Sequence, residues 1–212
     1  MIKRLIFDID GTIIDGGDFR GTITKVLKRL NAYSEGNLEK YLEATRTYED
    51  HYNNYNKRDY TDYFSKCLGV NLGKEYIDIL FDELQYCIPE DNTKIREKIE
   101  ELSKHYEIVI LTNYFEEGQR GRLKNMGIND YFSECFGEKI IKDNKEAFLS
   151  ACGNHLPEEC VMIGDNPVLD IKGADRCGLK TIWINKANKE IDIDTFQIDS
   201  VKNITVDMIE KL

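Results

Sequence analysis

The chain has 212 residues, long enough to bury a full hydrophobic core as one domain or as one domain with a large insertion. Its 29 basic and 39 acidic residues give a formal net charge of −10, which argues against nucleic acid polymers and anionic membranes as partners. The first ten residues lack the apolar core of a signal peptide, and no stretch reaches the roughly 20 apolar residues of a membrane span. We therefore expect a cytoplasmic protein. Its six cysteines form no CxxC pair or zinc pattern and are expected to be free thiols.

The first predicted element is a short strand at residues 5–7, an apolar Leu-Ile-Phe run that is bounded by acidic residues and glycine. Asp8 and Asp10 follow at its carboxyl end, and Gly11 releases the backbone into a turn. In an open parallel α/β sheet, ligands bind in the crevice beyond the strand ends, so these two carboxylates are placed for chemistry. The structural alternative is an acidic turn with an Asx hydrogen bond, and motifs further along the chain decide between the two.

Residues 16–88 contain helical patterns and no strand signal. Apolar residues recur at helical spacing in four stretches, namely residues 18–30, 37–53, 60–68 and 74–87. Pro89 ends the last of them. We predict an all-α module inserted into a core formed by residues 1–15 and 89–212. Tyrosines at near-helical spacing in this module are more typical of core packing than of a ligand platform: Tyr41, Tyr48, Tyr52 and Tyr55.

From residue 93 onward, predicted helices and strands alternate. The predicted helices are residues 93–104, 117–126, 145–152 and 168–177. The predicted strands are residues 106–113, a short strand near 135–141, and residues 161–166 and 181–185. Gly127 and Gly178 stand where two of the helices end. Five strands alternating with helices indicate a three-layer α/β fold with an all or mostly parallel sheet. The tail around Phe196 and Ile198 is expected to pack on the edge of that sheet.

Polar groups stand at the ends of four predicted strands, and parallel pairing would bring them to one crevice. Beyond Asp8 and Asp10, these groups are Thr112 and Asn113, a lysine-rich segment around residue 142, and the Gly164, Asp165 and Asp170 group. Phosphate monoesters hydrolyse so slowly that an enzyme needs up to about 10²¹-fold acceleration, which no single group supplies. A nucleophile, a metal, an acid and a charge clamp are all required, and in this acidic chain the positive charge must come from a metal and a few lysines.

The sequences DIDGT, LTN, a lysine and GDNPVLD occur in this order and resemble the four motifs of haloacid dehalogenase-like hydrolases. The resemblance spans the whole chain, and the insert stands where that superfamily carries a helical cap. It implies a Rossmann-like core, a cap at residues 16–88, and a Mg²⁺-dependent phosphatase that acts on a small phosphorylated metabolite through an aspartyl-phosphate. The metabolite, whether sugar phosphate, nucleotide or another compound, and the oligomeric state stay open.

The resemblance also implies a role for each motif residue. Asp8 would be the nucleophile, and Asp10 would protonate the leaving oxygen and then activate water. Thr112 and Asn113 would bind the phosphoryl group, and a lysine would offset its charge. Mg²⁺ would be held by Asp8, Asp165 and the backbone carbonyl of Asp10. The supporting positions are Gly11, Gly164 and Asp170, the last of which would orient the lysine or a metal-bound water.

The third motif departs from the family pattern, in which proline usually follows the lysine directly. The segment EKIIKDNKEAF contains no proline and offers three lysines, Lys139, Lys142 and Lys145. When the family's usual spacing from lysine to phenylalanine is aligned on Phe148, the lysine of the third motif is Lys142. Lys145, in the first turn of the next predicted helix, is the alternative candidate. Without proline, we expect the ammonium group to be positioned less rigidly, which would lower catalytic efficiency without changing the reaction.

Two other functions remain compatible with these motifs. A phosphosugar mutase of the same superfamily would share all four motifs and differ only in its cap. A phosphorylatable switch without turnover, as in receiver domains, also uses aspartates, a threonine and a lysine, but it lacks an insert after the first strand. A dehalogenase is disfavoured, because the resemblance would then not put a carboxylate at position 10, where an alkoxide leaving group needs an acid.

Overall fold

A computed structural model describes residues 1–51 and 55–212, and its centre is a six-stranded sheet in which all neighbouring strands are parallel. The strands are β1 (Arg4–Phe7), β2 (Glu107–Leu111), β3 (Cys135–Phe136), β4 (Cys160–Gly164), β5 (Lys180–Ile184) and β6 (Phe196–Ile198). Across the sheet the order is β3-β2-β1-β4-β5-β6, which is Rossmann-like. The predicted parallel α/β fold is confirmed, and the tail forms the sixth strand at the edge where it was expected to pack.

The described part of the chain contains the α-helices α1 (Phe19–Arg29), α2 (Glu35–His51), α3 (Lys57–Leu68), α4 (Tyr76–Leu84), α5 (Thr93–Ser103), α6 (Glu116–Asn125), α7 (Lys145–Cys152), α8 (Gly173–Asp175) and α9 (Val206–Glu210). The predicted helix at residues 37–53 corresponds to α2, and its expected last residues, 52 and 53, lie outside the described residues. The predicted helix at 168–177 is instead a π-helical turn, Pro167–Lys172, that continues into α8.

Side chains alternate between the two faces of the sheet, so each face has its own core. On one face, Leu5 and Phe7 of β1 pack in a buried cluster with residues of α5 and α6, including Ile99. On the other face, Ile6 packs with Met162 of β4 and with residues of α7. Because the central strands are buried on both faces, they are continuous apolar runs in the sequence and do not alternate with polar residues.

The segment between β1 and α5 forms helices α1 to α4, and its described residues contain no strand. These helices have their own buried cluster, whose aromatic members include Tyr41, Tyr48, Tyr55, Tyr60, Phe64 and Tyr76. The Tyr41 and Tyr76 hydroxyl oxygens lie 2.6 Å apart and share a hydrogen bond. Phe115, which follows β2, joins the same cluster, so the helical segment packs against the core beside the strand ends. The division into a cap at residues 16–88 and a core stays our proposal.

The strand order reverses at the centre of the sheet. From β1 the chain moves outward through β2 to β3, and it then returns to β4 on the other side of β1. Ligands of open α/β sheets bind beyond the carboxyl ends of the strands at such a reversal. Asp8 directly follows β1, and Asp165 directly follows β4, so both acidic residues stand at this position.

Strand β3 has only two residues, so the short strand that the sequence predicted near residues 135–141 is present and ends at Phe136. The physical reason lies at Gly137, whose φ is +140° and which approaches the backbone of Thr112 closely. A Cβ atom at this position would lie 1.4 Å from the Thr112 carbonyl oxygen. The chain leaves the sheet here, and the next loop carries Lys142 toward the ends of the strands.

None of the described helices combines the length and the apolar character that are needed to cross a bilayer. The six cysteines, Cys67, Cys87, Cys135, Cys152, Cys160 and Cys177, are free thiols, as expected from the sequence.

We predict that Gly137→Ala lowers the free energy of unfolding by about 3 kcal/mol or more, because the added Cβ would overlap the Thr112 carbonyl. The matched control is Gly69→Ala: Gly69 also has a positive φ, +71°, but among the described residues no atom beyond its own neighbours in the chain lies within 4 Å of its Cβ position. That variant should lose only the strain of a left-handed backbone, about 1–2 kcal/mol. Urea unfolding of both variants measures the difference, and equal losses would contradict the close approach as the cause.

Candidate active site

The segments after β1, β2, β3 and β4 meet at the carboxyl edge of the sheet and enclose a cavity of about 200 Å³, here called the inner cavity. Its lining residues are Asp8, Asp10, Glu49, Tyr55, Thr112, Asn113, Tyr114, Lys142, Asp165, Asn166, Leu169 and Asp170. The structure therefore brings together all the side chains that the sequence singled out for chemistry, and Gly11 and Gly164 lie directly behind them.

Of the three candidate lysines, Lys142 lies in the inner cavity. Its Nζ contacts the Asp8 carboxylate and donates a hydrogen bond of 2.7 Å to Asp170 Oδ1, and only 5% of the residue is exposed. Burial alone would lower the pKa of Lys142, but the charges of Asp170 and Asp8 outweigh burial and raise it, so the ammonium stays charged. Lys139 and Lys145 are both exposed, and Lys145 is the first residue of α7.

Three carboxylates form a cluster that fits a divalent cation. One oxygen from each of Asp8, Asp165 and Asp170 lies within 4.8 Å of the others. Burial, together with the charge of Asp170, raises the pKa of Asp8 to about 8 even though Lys142 opposes the rise. The same two causes raise the pKa of Asp165 to about 6. A hard cation such as Mg²⁺ binds carboxylate oxygens and would relieve this repulsion.

Two glycines leave room for the carboxylates of this cluster. Gly11 has a φ of +79°, and a Cβ atom there would lie 2.4 Å from Asp165 Oδ2. A Cβ atom at Gly164 would lie 2.3 Å from Asp170 Oδ2. Asp170 Oδ2 also accepts a 2.9 Å hydrogen bond from the backbone N–H of Asn166, which holds this carboxylate in place.

Thr112 and Asn113 supply polar groups at the end of β2. Thr112 is buried, and its hydroxyl oxygen accepts a hydrogen bond of 3.2 Å from Gln119 Nε2. Asn113 Oδ1 accepts a 2.9 Å hydrogen bond from the backbone N–H of Lys142. Its Nδ2 is buried and finds no hydrogen-bond partner in the part of the chain that the structure describes. Because an unpaired buried donor is unfavourable, Asn113 Nδ2 is suited to an acceptor oxygen of a bound ligand.

Two residues at the site, Gln119 and Arg122, were not found from the sequence. Both are buried on α6, where their spacing of three places them on one face of the helix. Arg122 Nη1 pairs with Asp10 Oδ1, and Gln119 Nε2 donates a 2.7 Å hydrogen bond to Asp10 Oδ2. Partial removal of the Asp10 carboxyl group from water raises its pKa, but the charge of Arg122 and these hydrogen bonds outweigh this effect and hold the pKa below its ordinary value. The sequence offered one signal for these two residues, a pair of polar side chains at helical spacing shortly after the LTN motif.

The Asp10 carboxylate is therefore held by α6, and the cluster of three carboxylates consists of Asp8, Asp165 and Asp170. Asp8 is almost fully buried, whereas 58% of the Asp10 side chain is accessible from the cleft. The sequence assigned Asp10 to the metal through its backbone carbonyl, and that assignment stays a prediction.

A second cavity, of about 350 Å³ and here called the outer cavity, lies between Asp10 and the helical segment. It is lined by Asp10, Ile14, Gly16, Gly17, Phe19, Tyr41, Leu42, Thr45, Arg46, Glu49, Tyr60, Leu84, Cys87, Tyr114 and Arg122. Asp10, Glu49 and Tyr114 line both cavities, so the two adjoin at these residues.

Comparison with known proteins gives consistent matches. The family model of haloacid dehalogenase-like hydrolases matches residues 2–178. The chain is 26% identical over 211 residues to N-acylneuraminate-9-phosphatase of Mus musculus, in an alignment that covers 89% of this chain and 84% of that protein. It is 37% identical over 91 residues to a pyrimidine 5′-nucleotidase of Escherichia coli (strain K12), covering 39% of this chain and 40% of that protein. The crystal structure of a HAD phosphatase from Thermococcus onnurineus superposes with a TM-score of 0.67 at 25% identity, covering 94% of each chain.

We predict that Mg²⁺ binds the cluster and raises the melting temperature. At 100 times its Kd, a ligand that binds only the native state adds about 2.7 kcal/mol, which corresponds to about 5–10 °C in a chain of this size. Differential scanning fluorimetry with MgCl₂ measures the shift, and KCl at equal ionic strength is the control. Asp165→Asn should lose the shift, whereas Asp175→Asn, an exposed residue outside the cluster, should keep it. An undiminished shift in Asp165→Asn would contradict the site.

The same site predicts a pH dependence of Mg²⁺ binding. Metal binding requires ionised carboxylates, and the pKa values of Asp165 and Asp8 are raised to about 6 and about 8. Protons therefore compete with Mg²⁺ at low pH, and the Mg²⁺-induced rise in melting temperature should be larger at pH 8 than at pH 6. A shift that is equal at both pH values would show that these carboxylates do not hold the metal.

Proposed function

Because the chain belongs to the haloacid dehalogenase-like hydrolases, we propose that it hydrolyses a small phosphate monoester through an aspartyl-phosphate on Asp8, with Mg²⁺ as cofactor. The observation that carries the proposal is the contact between the buried Asp8 carboxylate and Lys142 in the inner cavity, with Asp10 at its border. The relatives support a phosphate monoester as the substrate: they are named for a phosphorylated sugar acid and for nucleotides, and both kinds of compound carry that group.

In the first step, the Asp8 carboxylate attacks phosphorus and the bond from phosphorus to the leaving oxygen breaks. Asp8 must be ionised for this attack, and the ammonium group of Lys142 favours the ionised form. Mg²⁺ held by Asp8, Asp165 and Asp170 would supply further positive charge to Asp8 and to the phosphoryl oxygens. Thr112 and the Nδ2 group of Asn113 bind the phosphoryl oxygens in this proposal.

In this proposal, Asp10 donates a proton to the leaving oxygen in the first step and accepts a proton from water in the second. Because Asp10 lines both cavities, the alcohol part of the substrate occupies the outer cavity in this proposal. The contacts with Arg122 and Gln119 hold Asp10 as a carboxylate, which is the form that accepts a proton from the attacking water. To protonate the leaving oxygen, Asp10 must first take up a proton, and this requires that its pairing with Arg122 loosen.

The similar proteins favour hydrolysis of the substrate over the two alternatives, a phosphorylatable switch and a phosphosugar mutase. The relatives are named as a phosphatase and a nucleotidase, which supports hydrolysis over a phosphorylatable switch without turnover. They equally favour hydrolysis over the mutase reaction, which would return the phosphoryl group to a second hydroxyl of the substrate.

We predict that Asp8→Asn abolishes Mg²⁺-dependent hydrolysis of p-nitrophenyl phosphate, because an amide cannot form the acyl phosphate. Asp143→Asn, an exposed acidic residue beside Lys142, should keep wild-type activity. Intact-protein mass spectrometry after an acid quench should show one added phosphoryl group on the wild type and none on Asp8→Asn. If Asp8→Asn keeps more than a few per cent of wild-type kcat once contaminating phosphatase is excluded, the mechanism is wrong.

We predict that Lys142→Ala loses about 3 kcal/mol or more of transition-state stabilisation, measured as kcat/KM, because a preorganised charge contact is removed. Lys145→Ala is the matched control and should stay close to wild type, because Lys145 is exposed. Removing Lys142 also leaves Asp8 and Asp170 uncompensated, so the melting temperatures of both variants must be measured to confirm that each is folded. Loss of activity in folded Lys145→Ala, with Lys142→Ala active, would assign the role to the start of α7.

A further inference from the structure

The two adjoining cavities differ in chemistry, and the difference bears on the substrate. The inner cavity is lined by carboxylates, a lysine and amide groups, as suits a phosphoryl group and a cation. The outer cavity is lined mainly by aromatic and aliphatic side chains. Asp10 stands between them, so a substrate that presents its leaving oxygen to Asp10 must place the rest of its alcohol part against the apolar walls.

The outer cavity offers aromatic surface to a flat group. Phe19, Leu42 and Tyr114 are half-buried and supply accessible surface, while Tyr41 and Tyr60 lie almost fully buried behind them. The volume of about 350 Å³ lies at the lower end of the range of small-molecule sites, about 300–1,000 Å³. Planar rings stack favourably on such side chains, whereas a sugar with several hydroxyls needs a hydrogen-bond partner for each of them in a cavity whose walls are mainly apolar.

The charges around the outer cavity argue against an anionic leaving group. All three guanidinium nitrogens of Arg122 are already engaged: Nη1 contacts Asp10 and Gln119, and both Nε and Nη2 donate to the Cys87 carbonyl. Arg46 lies on the wall together with Glu49, so their charges balance, and Asp10 balances Arg122. A substrate carboxylate would therefore find no surplus positive charge, whereas the edge of a neutral heteroaromatic ring can use both donors and acceptors.

On the basis of the function proposed above, we propose that the substrate class is the nucleoside 5′-monophosphates, with the base in the outer cavity and the phosphate in the inner cavity. Water and the nucleotide give the nucleoside and inorganic phosphate. The bond from phosphorus to O5′ breaks as Asp8 attacks, and O5′ takes the proton that Asp10 supplies. Water then attacks phosphorus and gives a proton back to Asp10, and the bond from phosphorus to the Asp8 oxygen breaks to release inorganic phosphate.

The test compares ribose phosphates that carry different bases or no base. The kcat/KM values of UMP and AMP are measured against that of ribose 5-phosphate, in Mg²⁺, with acetyl phosphate as a reference whose small leaving group does not need the outer cavity. Stacking of a base on an aromatic ring is worth about ten-fold or more. We therefore expect at least one nucleotide to exceed ribose 5-phosphate by about ten-fold or more.

A variant that fills the outer cavity tests the location. Thr45 lines the cavity, and its hydroxyl donates to the Tyr41 carbonyl at 3.0 Å. Thr45→Trp should remove the preference for nucleotides and keep acetyl phosphate hydrolysis. Thr47 is the matched control, because its hydroxyl makes the same type of bond to the Glu43 carbonyl, at 3.2 Å, but the residue is exposed and does not line the cavity. Thr47→Trp should keep the preference.

The outcomes separate this inference from the function on which it rests. Absence of Mg²⁺-dependent acetyl phosphate hydrolysis would contradict the phosphatase mechanism. Calorimetry of uridine binding to wild type and Thr45→Trp would then still test whether the outer cavity binds a nucleoside. With acetyl phosphate hydrolysis present, equal kcat/KM for the nucleotides and ribose 5-phosphate would overturn the nucleoside assignment. A higher kcat/KM for N-acetylneuraminate 9-phosphate than for either nucleotide would overturn it in favour of a sugar acid.

Discussion

The compensation of buried negative charge by Lys142 is the interaction on which the site depends. Asp8 and Asp170 are both nearly inaccessible to water, and each contacts the ammonium group of this one side chain. Taking an ion out of water is unfavourable by several kcal/mol unless it is paired and hydrogen-bonded. The fold must therefore bring a loop from the far side of β2 across to β1 and β4, and hold Lys142 against both carboxylates.

Backbone contacts hold that loop without the proline that the family usually places after its lysine. Gly137 lets the chain turn against the Thr112 carbonyl as it leaves β3, and the Thr112 N–H donates to the Phe136 carbonyl at 2.9 Å. Asn113 then accepts from the backbone N–H of Lys142. The two residues after β2 thus fix the loop at its start and at the lysine itself, so Thr112 and Asn113 organise the third motif as well as lining the cavity.

Features that depend on local pattern could be predicted from the sequence, whereas features that depend on long-range contacts were missed. Apolar runs that end in polar residues located β1, β2 and β4, and the order of the motifs placed their ends in one crevice. The third strand was predicted to be short, but its exact last residue could not be predicted, because it depends on how closely Gly137 approaches Thr112, which is distant in sequence. Gln119 and Arg122 were missed for a similar reason: polar residues on a predicted helix are interpreted as exposed unless a carboxylate partner, here Asp10, is known.

Arg122 connects the acid and base chemistry to the helical segment. Its Nη1 pairs with Asp10, and its Nε and Nη2 donate to the Cys87 carbonyl at 3.2 Å and 3.0 Å, just after α4 where the helical segment returns to the core. A guanidinium group is planar and rigid, so it cannot follow the Cys87 carbonyl without changing its geometry toward Asp10. The orientation of the Asp10 carboxylate and the position of the segment's second connection are therefore determined together, at the border between the inner and outer cavities.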